Sequence, residues 1–363
     1  MRLCFITATP LNVIQGSGTF VGIDLLARTL RTLGIEVDVL SPRLRFPIYT
    51  AQRLAFNATV RHRIAGPYDA IVGFDMDGYR IAGRGNGVHV ACIKGVIADE
   101  MRFERGWTRA TMGIQAACER VHVRRATRVI TTSQYSADRI NEFYAPARLP
   151  LIVPEMIDLE SWERLSSQVD RRNTQGKFVV LSVCRFYRRK RLETLLAAAE
   201  RIRDKIANLE VRIVGGGPEQ GRLRRIWRDK CLEAVVVWRE DISQAELGQE
   251  YANCDVFCLP TVQEGFGIVF LEAMAFGKPI VACRAGATPE VVQHGVLTRP
   301  DDVEELADAI ERLCKNAELR GSLGRAGREA VKRFDAPAVA KEFLLQLQRM
   351  QASGGNPAPG RSS

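Results

Sequence analysis

The sequence predicts an α/β protein with two Rossmann-like domains, because short apolar runs alternate with amphipathic helical patterns along the chain. A strand–glycine loop–helix–strand unit opens the chain, which is the layout of a dinucleotide-binding domain. The same pattern restarts at Phe178, and 363 residues are enough for two domains of ordinary size. We expect domains at 1–155 and 156–336, then a last helix at 337–351 and a disordered tail at 353–363.

The first glycine loop has two possible functions, and the residues alone do not distinguish them. Leu3 to Ile6 predicts a buried strand, and the helix after the loop ends at Gly34. Gly16 and Gly18 lie in the loop, so the fingerprint is only Gly-x-Gly. This spacing suits a phosphate-binding turn and equally a tight turn that binds nothing.

Residues 43–63 combine arginines with large apolar residues. One interpretation is a basic amphipathic patch that meets an acceptor or an anionic membrane surface. The other is a loop and helix that cover the sheet with solvated arginines, and general considerations favour this second interpretation.

Polar residues follow three further predicted strands of this half. They are Asp75 and Asp77 after the strand at 70–73, Lys94 after 88–93, and Ser133 after 128–132. Ligand sites of α/β proteins lie at the carboxyl ends of strands, so Asp75 and Asp77 are candidates for acceptor contacts. Lys94 could offer a cation to the donor phosphate or to an acceptor carboxylate. Ordinary turn chemistry explains an Asp near Gly as well, and Lys94 is equally explained as a surface lysine.

The second half begins after a polar stretch, Ser161 to Lys177, which predicts a linker. Five cations follow its first strand: Arg185, Arg188, Arg189, Lys190 and Arg191. A cluster at a strand end is badly placed for core packing and well placed for an anion, since guanidinium and ammonium groups both bind phosphate oxygens. The next strand ends in Gly215-Gly216-Gly217, a loop that a ligand can approach closely.

The segment 259–279 carries the most functional information. A glycine turn precedes a helix that begins at Ile268 and ends at Gly277. The free N–H groups and the positive dipole end of such a helix suit a phosphate. The candidate donor contacts at this end are Gly265, Phe266, Gly267, Ile268 and Val269.

Two glutamates flank this helix start. Glu264 precedes it, and Glu272 lies eight positions further on. Two carboxylates beside a ligand made only of phosphate would repel it, but they suit a ligand with hydroxyls on both sides of a diphosphate. A nucleotide sugar has that layout.

Glu264 and Glu272 have seven residues between them, and Gly265-Phe266-Gly267 follows the first glutamate. This pattern resembles the paired-glutamate motif of retaining GT-B glycosyltransferases, family 4 in particular. The resemblance implies the GT-B fold, in which two Rossmann-like domains face each other across a cleft and the last helix crosses back to the N-terminal domain. It also implies a metal-independent hexosyltransferase that moves a sugar from a nucleotide diphosphate sugar, with no cofactor, to a glycan, lipid or small-molecule acceptor.

The resemblance implies a role for each site residue. Arg185 and Lys190 would clamp the donor diphosphate, and Glu264 would orient the sugar hydroxyls; these are the catalytic candidates. Glu272 would hold the ribose. The remaining donor-side candidates are Gly215 and Arg239, and the acceptor or cleft candidates are Gly16, Gly18, Asp75, Lys94 and Ser133.

Two positions depart from the pattern of the family. Lys94 stands near the place where many members have a histidine, so no histidine role is carried over. Glu155-Met156 stands where members often have Asn-Gly.

The composition narrows the partners without choosing among them. A net charge of +10 and a pI near 9.3 favour anionic partners: nucleotide diphosphates, anionic lipid headgroups or nucleic acid. The nine cysteines lie mostly in apolar runs without zinc spacing, which predicts buried thiols in a reducing compartment and no metal site. With no apolar run of about 18 residues and a strand pattern from Met1, we expect a cytoplasmic protein that associates at most weakly with an anionic membrane.

Two rival functions stay open. A sugar-nucleotide epimerase or a phosphorylase uses the same GT-B architecture, and the first would change the nucleotide sugar with no acceptor present. A non-catalytic nucleotide- or nucleic-acid-binding protein would use the basic charge. The cations lack regularly interleaved aromatic residues, so we expect no nucleic-acid partner.

Overall fold

A computed structural model describes residues 1–9, 18–43, 47–84, 87–169 and 176–353. The chain forms two compact units, Met1–Glu155 with Ala336–Ser363 and Met156–Asp335. The tail expected at 353–363 lies outside the described residues beyond Ser353.

The first unit is built on a parallel six-stranded sheet. Its strands are β1 Arg2–Ile6, β2 Glu36–Leu40, β3 Ala70–Phe74, β4 Val88–Ile93, β5 Arg128–Thr131 and β6 Leu151–Ile152, and its helices before residue 155 are α1 Gly18–Thr32, α2 Tyr49–Arg63, α3 Ile97–Glu100, α4 Gly106–Arg125 and α5 Gln134–Tyr144. The strand order is β2-β1-β3-β4-β5-β6, and Leu3 pairs with Val37 on one side and Ala70 on the other. Buried runs such as Leu3 to Ile6 form these strands because helices cover both faces of a parallel sheet.

The second unit repeats this plan. Its strands are β7 Phe178–Val183, β8 Leu209–Val214, β9 Val236–Arg239, β10 Val256–Leu259, β11 Ile280–Cys283 and β12 Val296–Thr298; its helices are α6 Leu159–Gln168, α7 Leu192–Ile202, α8 Gln220–Asp229, α9 Gln244–Ala252, α10 Ile268–Ala275, α11 Thr288–Val291, α12 Val303–Lys315 and α13 Ala317–Ala330. The strand order is β12-β11-β10-β7-β8-β9, again all parallel. One large apolar core surrounds this sheet.

Both sheets reverse their strand order at one place. The reversal lies between β1 and β3 in the first unit and between β7 and β10 in the second. Ligands of open α/β sheets bind outside the carboxyl ends of the strands at such switch points. The two parallel sheets with their helices confirm the predicted fold class.

The last helix, α14 Ala336–Ser353, belongs to the first unit, as the fold class predicts. It packs against α1, and the Phe343 ring lies edge-on to Phe5 with 6.4 Å between ring centroids. None of the helices in the described parts of the chain is long and apolar enough to cross a membrane.

The predicted linker at Ser161 to Lys177 is wrong in its first part, which belongs to α6. Asp158 caps this helix by accepting a hydrogen bond from the Ser161 N–H at 3.0 Å. Trp162 packs edge-on against Tyr251 and Phe276. Burial of the Trp162 side chain anchors this helix, although its polar composition suggested a loop. The stabilisation from this burial outweighs the weak helix propensity of the segment.

Candidate active site

The basic loop after β7 turns inward at Lys190. Residues Arg188–Lys190 form one 3₁₀ turn, and Arg191 follows in a left-handed conformation with φ 52° before α7 begins. The Lys190 side chain is buried, and its Nζ donates a hydrogen bond to Glu264 Oε1. Two residues that the sequence assigned to one site therefore form an ion pair.

The Glu264 loop is fixed from two sides. The Val262 N–H and the Thr261 hydroxyl both donate to the Arg189 carbonyl, at 2.9 and 3.1 Å, so this loop and the basic loop are joined. On the other side the Ala287 N–H donates to the Glu264 carbonyl at 2.9 Å. These bonds hold Glu264 in place before any ligand binds.

Gly286 is a site residue that the sequence reasoning missed. Its φ is 59°, and a Cβ there would lie 2.6 Å from the Glu264 nitrogen. Only glycine therefore lets the segment after β11 approach the Glu264 loop so closely. A glycine three residues after the end of the buried strand β11 is the signal that could have identified it.

The start of α10 has the geometry expected of a phosphate site. Gly267 caps the helix with φ 92°, and a Cβ on it would lie 2.6 Å from the Phe270 ring. Ile268 and Val269 form the partly exposed first turn, whose N–H groups lack intrahelical acceptors. Phe266 is buried with its ring edge-on to Phe334 at 5.4 Å, so its side chain anchors the loop in the core.

Glu272 lies on the buried side of α10. The Tyr251 hydroxyl donates to its Oε2 at 2.7 Å. Burial raises the pKa of Glu272 to about 7, although the Tyr251 hydrogen bond acts in the opposite direction. One carboxylate oxygen is thus engaged inside the unit, and the assigned ribose contact stays a prediction.

The ends of β8 and β9 lie beside the basic loop. Gly215 has φ 126°, and a Cβ on it would lie 2.1 Å from the Cys184 carbonyl oxygen. Its N–H donates to the Arg239 carbonyl at 2.9 Å, which joins the two strand ends. The Arg239 side chain is exposed and pairs with Glu250 at 3.3 Å. The structure therefore brings the predicted donor-side residues to one sheet edge in the second unit.

Arg185 is a second exposed cation of this edge. Its side chain makes no ion pair or hydrogen bond with any residue that the structure describes, whereas Lys190 and Arg239 each have a carboxylate partner. An unpaired guanidinium at the sheet edge where a helix also begins attracts an anion with several oxygens.

The acceptor-side candidates of the first unit have buried partners. Asp77 is fully buried; Arg53 Nη2 donates to its Oδ2 at 3.0 Å, Asn57 Nδ2 to its Oδ1 at 2.9 Å, and the Ala8 N–H to its Oδ2 at 2.7 Å. Both interpretations of residues 43–63 placed Arg53 on a surface, and that expectation is wrong. A buried carboxylate recruits the guanidinium because an unpaired charge there would cost several kcal/mol (~3–5).

Asp75 adopts an uncommon backbone conformation beside this pair. Its φ is 52°, and its Oδ1 accepts a hydrogen bond from the Lys94 N–H at 2.9 Å. Burial raises the pKa of Asp75 to about 6, against the opposing effect of Arg53. A left-handed aspartate at a strand end is uncommon enough to suggest a function.

Lys94 is not a free cation. Its Nζ donates to Glu155 Oε2 at 2.9 Å, and both side chains are buried. Burial by itself lowers the pKa of Lys94, but the Glu155 carboxylate more than offsets this, so the pKa is raised. The two positions that depart from the family pattern thus contact each other. Glu155 lies against α1, where a Cβ on Gly22 would be 2.5 Å from its Oε2.

A histidine pair in this unit was not predicted from the sequence. His89 Nε2 and His122 Nε2 lie 2.8 Å apart, and His122 Nδ1 lies 2.6 Å from the Asp75 carbonyl oxygen. Burial lowers the pKa of both imidazoles, so both are neutral and link Asp75 to β4.

The remaining acceptor-side candidates have structural roles or fall outside the description. Ser133 is buried and caps α5 by accepting a hydrogen bond from the Ser136 N–H at 3.0 Å. Gly18 is the first residue of α1. Gly16 lies outside the described residues. The described residues contain no cluster of three His, Cys, Asp or Glu able to hold a metal ion.

Residues 166–330 match the family described as glycosyl transferases, group 1. The matched residues lie within the second unit. The match covers the basic loop, the Glu264 loop and α10, so it confirms the resemblance inferred from the paired glutamates.

Curated relatives of this chain include proteins named as glycosyltransferases. One is the GDP-mannose-dependent alpha-(1-6)-phosphatidylinositol monomannoside mannosyltransferase of Mycobacterium tuberculosis, 31% identical over 56% of this chain. The aligned part spans only 57% of the length of that relative. Another is the D-inositol 3-phosphate glycosyltransferase of Corynebacterium kroppenstedtii, 23% identical over 90% of this chain and 85% of its own length.

Solved structures share the fold of the whole chain. A sucrose-phosphate synthase from Thermosynechococcus elongatus has a TM-score of 0.81 and 21% identity, over 97% of this chain and 99% of its own. Anabaena HepE in complex with UDP-glucose has a TM-score of 0.72 and 20% identity, over 96% of this chain and 100% of its own. At this level of identity the likeness establishes the GT-B fold alone.

Proposed function

We propose that this protein is a retaining, metal-independent glycosyltransferase that moves a sugar from a nucleotide diphosphate sugar to an acceptor. The observation that carries the proposal is the Lys190–Glu264 pair beside the N-terminus of α10, at the switch point between β7 and β10. Group 1 glycosyl transferase similarity over residues 166–330 supports the same reaction class.

The proposed chemistry is electrostatic. The bond between the anomeric carbon and the diphosphate oxygen breaks, and a bond to the acceptor hydroxyl oxygen forms on the same face. The proton of that hydroxyl passes to the departing diphosphate oxygen. Arg185, Lys190 and the first N–H groups of α10 stabilise the charge that develops on the leaving diphosphate. These cationic groups supply the stabilisation that a metal gives in other transferases.

Glu264 orients the sugar in this proposal. Its carboxylate already has Lys190 as a partner, so a bound donor would share Lys190 between its phosphate and Glu264. A carboxylate held by two loops accepts hydrogen bonds from sugar hydroxyls without reorganisation. Glu272 is proposed to hold the ribose, and Asp75 is the acceptor-side candidate of the first unit.

The experiment is release of nucleoside diphosphate from UDP-glucose and GDP-mannose, each with and without acceptor. The mycobacterial relative is named for GDP-mannose and the HepE complex contains UDP-glucose, so both donors enter the panel. D-inositol 3-phosphate and phosphatidylinositol are the first acceptors, because the names of two relatives contain inositol phosphate groups.

Three readouts separate the parts of the proposal. Nuclear magnetic resonance of the product gives the anomeric configuration, and inversion would contradict retention. Full activity in excess EDTA is expected, and its loss would contradict metal independence. Change of the nucleotide sugar with no acceptor would favour the epimerase, and dependence on inorganic phosphate would favour the phosphorylase.

The cellular setting is also part of the proposal. All nine cysteines are free thiols, and most are buried, which suits a reducing compartment such as the cytoplasm.

A further inference from the structure

The outer face of α4 carries a strip of apolar side chains in contact with solvent. Trp107 is 72% exposed and Ile114 is 50% exposed. Ala110 and Ala117 are exposed as well, and the spacing of these four residues places them along one side of the helix. At ~1.5 Å per residue the strip is roughly 15 Å long. A row of exposed apolar residues bordered by polar ones is the kind of surface that marks an interaction site.

Unpaired arginines lie next to this strip. Arg105, Arg109 and Arg120 are exposed, and none of them forms an ion pair with a described residue. The only acidic residue of α4 is Glu119, which is fully buried and accepts hydrogen bonds from the Tyr144 hydroxyl and the Ile97 N–H. The exposed side of α4 is therefore apolar and cationic without any carboxylate.

The start of α2 adjoins α4. Gln115 of α4 donates from its Nε2 to the Thr50 hydroxyl at 2.8 Å, so the two helices adjoin there. Ile48, just before α2, is 50% exposed, and Arg43 is exposed too. The sequence contains no Asp or Glu between Asp38 and Asp69. We call the exposed residues of α4 the α4 face.

We propose that the α4 face binds an anionic lipid surface. Tryptophan is suited to the membrane interface because one end of its ring system is apolar and the other donates a hydrogen bond. Arginines that flank an apolar strip are attracted to anionic headgroups while the strip enters the acyl boundary. No carboxylate on this face opposes the attraction.

A second copy of the chain fits the α4 face less well than an anionic lipid surface does. A two-fold interface places the same patch on both partners, which would bring the arginines of one copy close to those of the other. An anionic surface neutralises these charges, whereas a symmetric dimer concentrates them. A protein partner would have to supply the missing carboxylates itself.

The test is sedimentation of the full chain with vesicles. One set contains phosphatidylcholine alone, and the other contains phosphatidylcholine with 30% phosphatidylglycerol (on the order of a bacterial anionic leaflet). Neither contains inositol lipid or nucleotide sugar, so the result does not depend on the proposed enzymatic activity. We expect binding to the anionic vesicles only, and weaker binding as salt is raised.

Paired variants localise the contact. Trp107→Ser with Ile114→Ser is expected to weaken binding at least about tenfold, since both apolar side chains leave the boundary. Arg105→Gln and Arg109→Gln are each expected to weaken it about fivefold. Leu345→Ser on α14 and Arg312→Gln on α12 are matched controls, exposed residues of the same types elsewhere, and should bind as the parent does.

Trp107 is also a built-in probe. It is the most exposed of the four tryptophans, so lipids brominated on their acyl chains should quench its fluorescence, and Trp107→Phe should remove most of that quenching. Absence of binding to anionic vesicles would overturn the proposal, as would unchanged binding by the Trp107/Ile114 variant. Self-association in ultracentrifugation that disappears in that variant would overturn it in favour of a protein interface.

Discussion

The carboxyl edges of the two sheets use the same kinds of charged residues in different ways. In the second unit, Lys190 and Glu264 pair at the edge while Arg185 stays exposed and unpaired. In the first unit, Arg53 and Asp77 are almost completely buried, and Lys94 is paired with Glu155. We call the carboxyl edge of the sheet in the first unit the first edge, and that of the sheet in the second unit the second edge. Charged residues at the first edge mainly stabilise the fold, whereas a charged residue at the second edge remains available to bind an anion.

This difference teaches that a strand-end location does not define a ligand site by itself. The accessible charge and the exposed backbone N–H groups must coincide, as they do where Arg185 lies on the same edge as the start of α10. In the first unit, Asp75 is the strand-end residue best suited to bind a ligand. Its backbone is in an uncommon conformation, and its carboxylate is only partly neutralised by Arg53.

The largest expected effect is a loss of stability when the buried Arg53–Asp77 pair of the first unit is broken. Arg53→Leu leaves the Asp77 carboxylate buried without its cation, so the free energy of unfolding should fall by about 3–5 kcal/mol. Urea unfolding measures it. Arg61→Gln, an exposed arginine of the same helix, is the control and should change the value by less than about 0.5 kcal/mol. A loss no larger than that of the control would show that the buried pair does not support the first unit.

The second largest expected effect is a loss of turnover when Glu264 of the second unit is replaced. Glu264→Gln removes the carboxylate proposed to orient the sugar, so release of nucleoside diphosphate should fall about 100-fold. The melting temperature of the variant shows whether it remains folded. Glu233→Gln, an exposed glutamate of the same unit, should retain full activity. Near-normal turnover in folded Glu264→Gln would remove this residue from the site.

The third effect is a pH dependence of stability. The pKa of Glu272 is about 7 in the folded protein against 4.5 ordinarily, so the folded state binds the extra proton between these values. The free energy of unfolding should therefore fall as pH rises from about 4.5 to about 7, on the order of 2–3 kcal/mol. Glu272→Gln keeps an acceptor for Tyr251 and should flatten this slope; an unchanged slope would assign the pH dependence to other groups.

The smallest effect is the coupling within the Lys94–Glu155 pair. Lys94→Met and Glu155→Gln should together cost less than the sum of the single changes, by about 1–2 kcal/mol, because each single change leaves one buried charge unpaired. The exposed pair Lys332 and Glu329 is the control and should couple by less than about 0.5 kcal/mol. Strict additivity at the buried pair would mean that the two residues act independently.

The sequence predicted the parts of the fold that depend on local pattern. The bounds of β7, β10 and β11 follow apolar runs of four to six residues, and α10 begins at Ile268 because a glycine turn precedes it. The residues of the second edge could be named for the same reason. Their motif is short and continuous, and strand order in a parallel sheet then brings the loops together.

The contacts that the sequence could not predict join distant residues. Lys190 and Glu264 are 74 positions apart, and Lys94 and Glu155 are 61 apart. No local periodicity encodes such a distance, so the partner of a buried charge is visible only once the chain is folded. The burial of Arg53 and the histidine pair were missed for this reason. The departures from the family pattern at Lys94 and Glu155 were both visible in the sequence. The contact between the two side chains explains why the two departures occur together.

Binding of nucleoside diphosphates to the second edge tests the central claim most directly. Calorimetric titration with the uridine, guanosine, adenosine and thymidine diphosphates should give one clear preference. Arg185→Gln should weaken that ligand at least about tenfold, since a charged hydrogen bond is lost, while Arg312→Gln should bind as the parent does. If no diphosphate binds, or if Arg185→Gln binds as tightly as the parent, the assignment of this edge as the donor site is wrong.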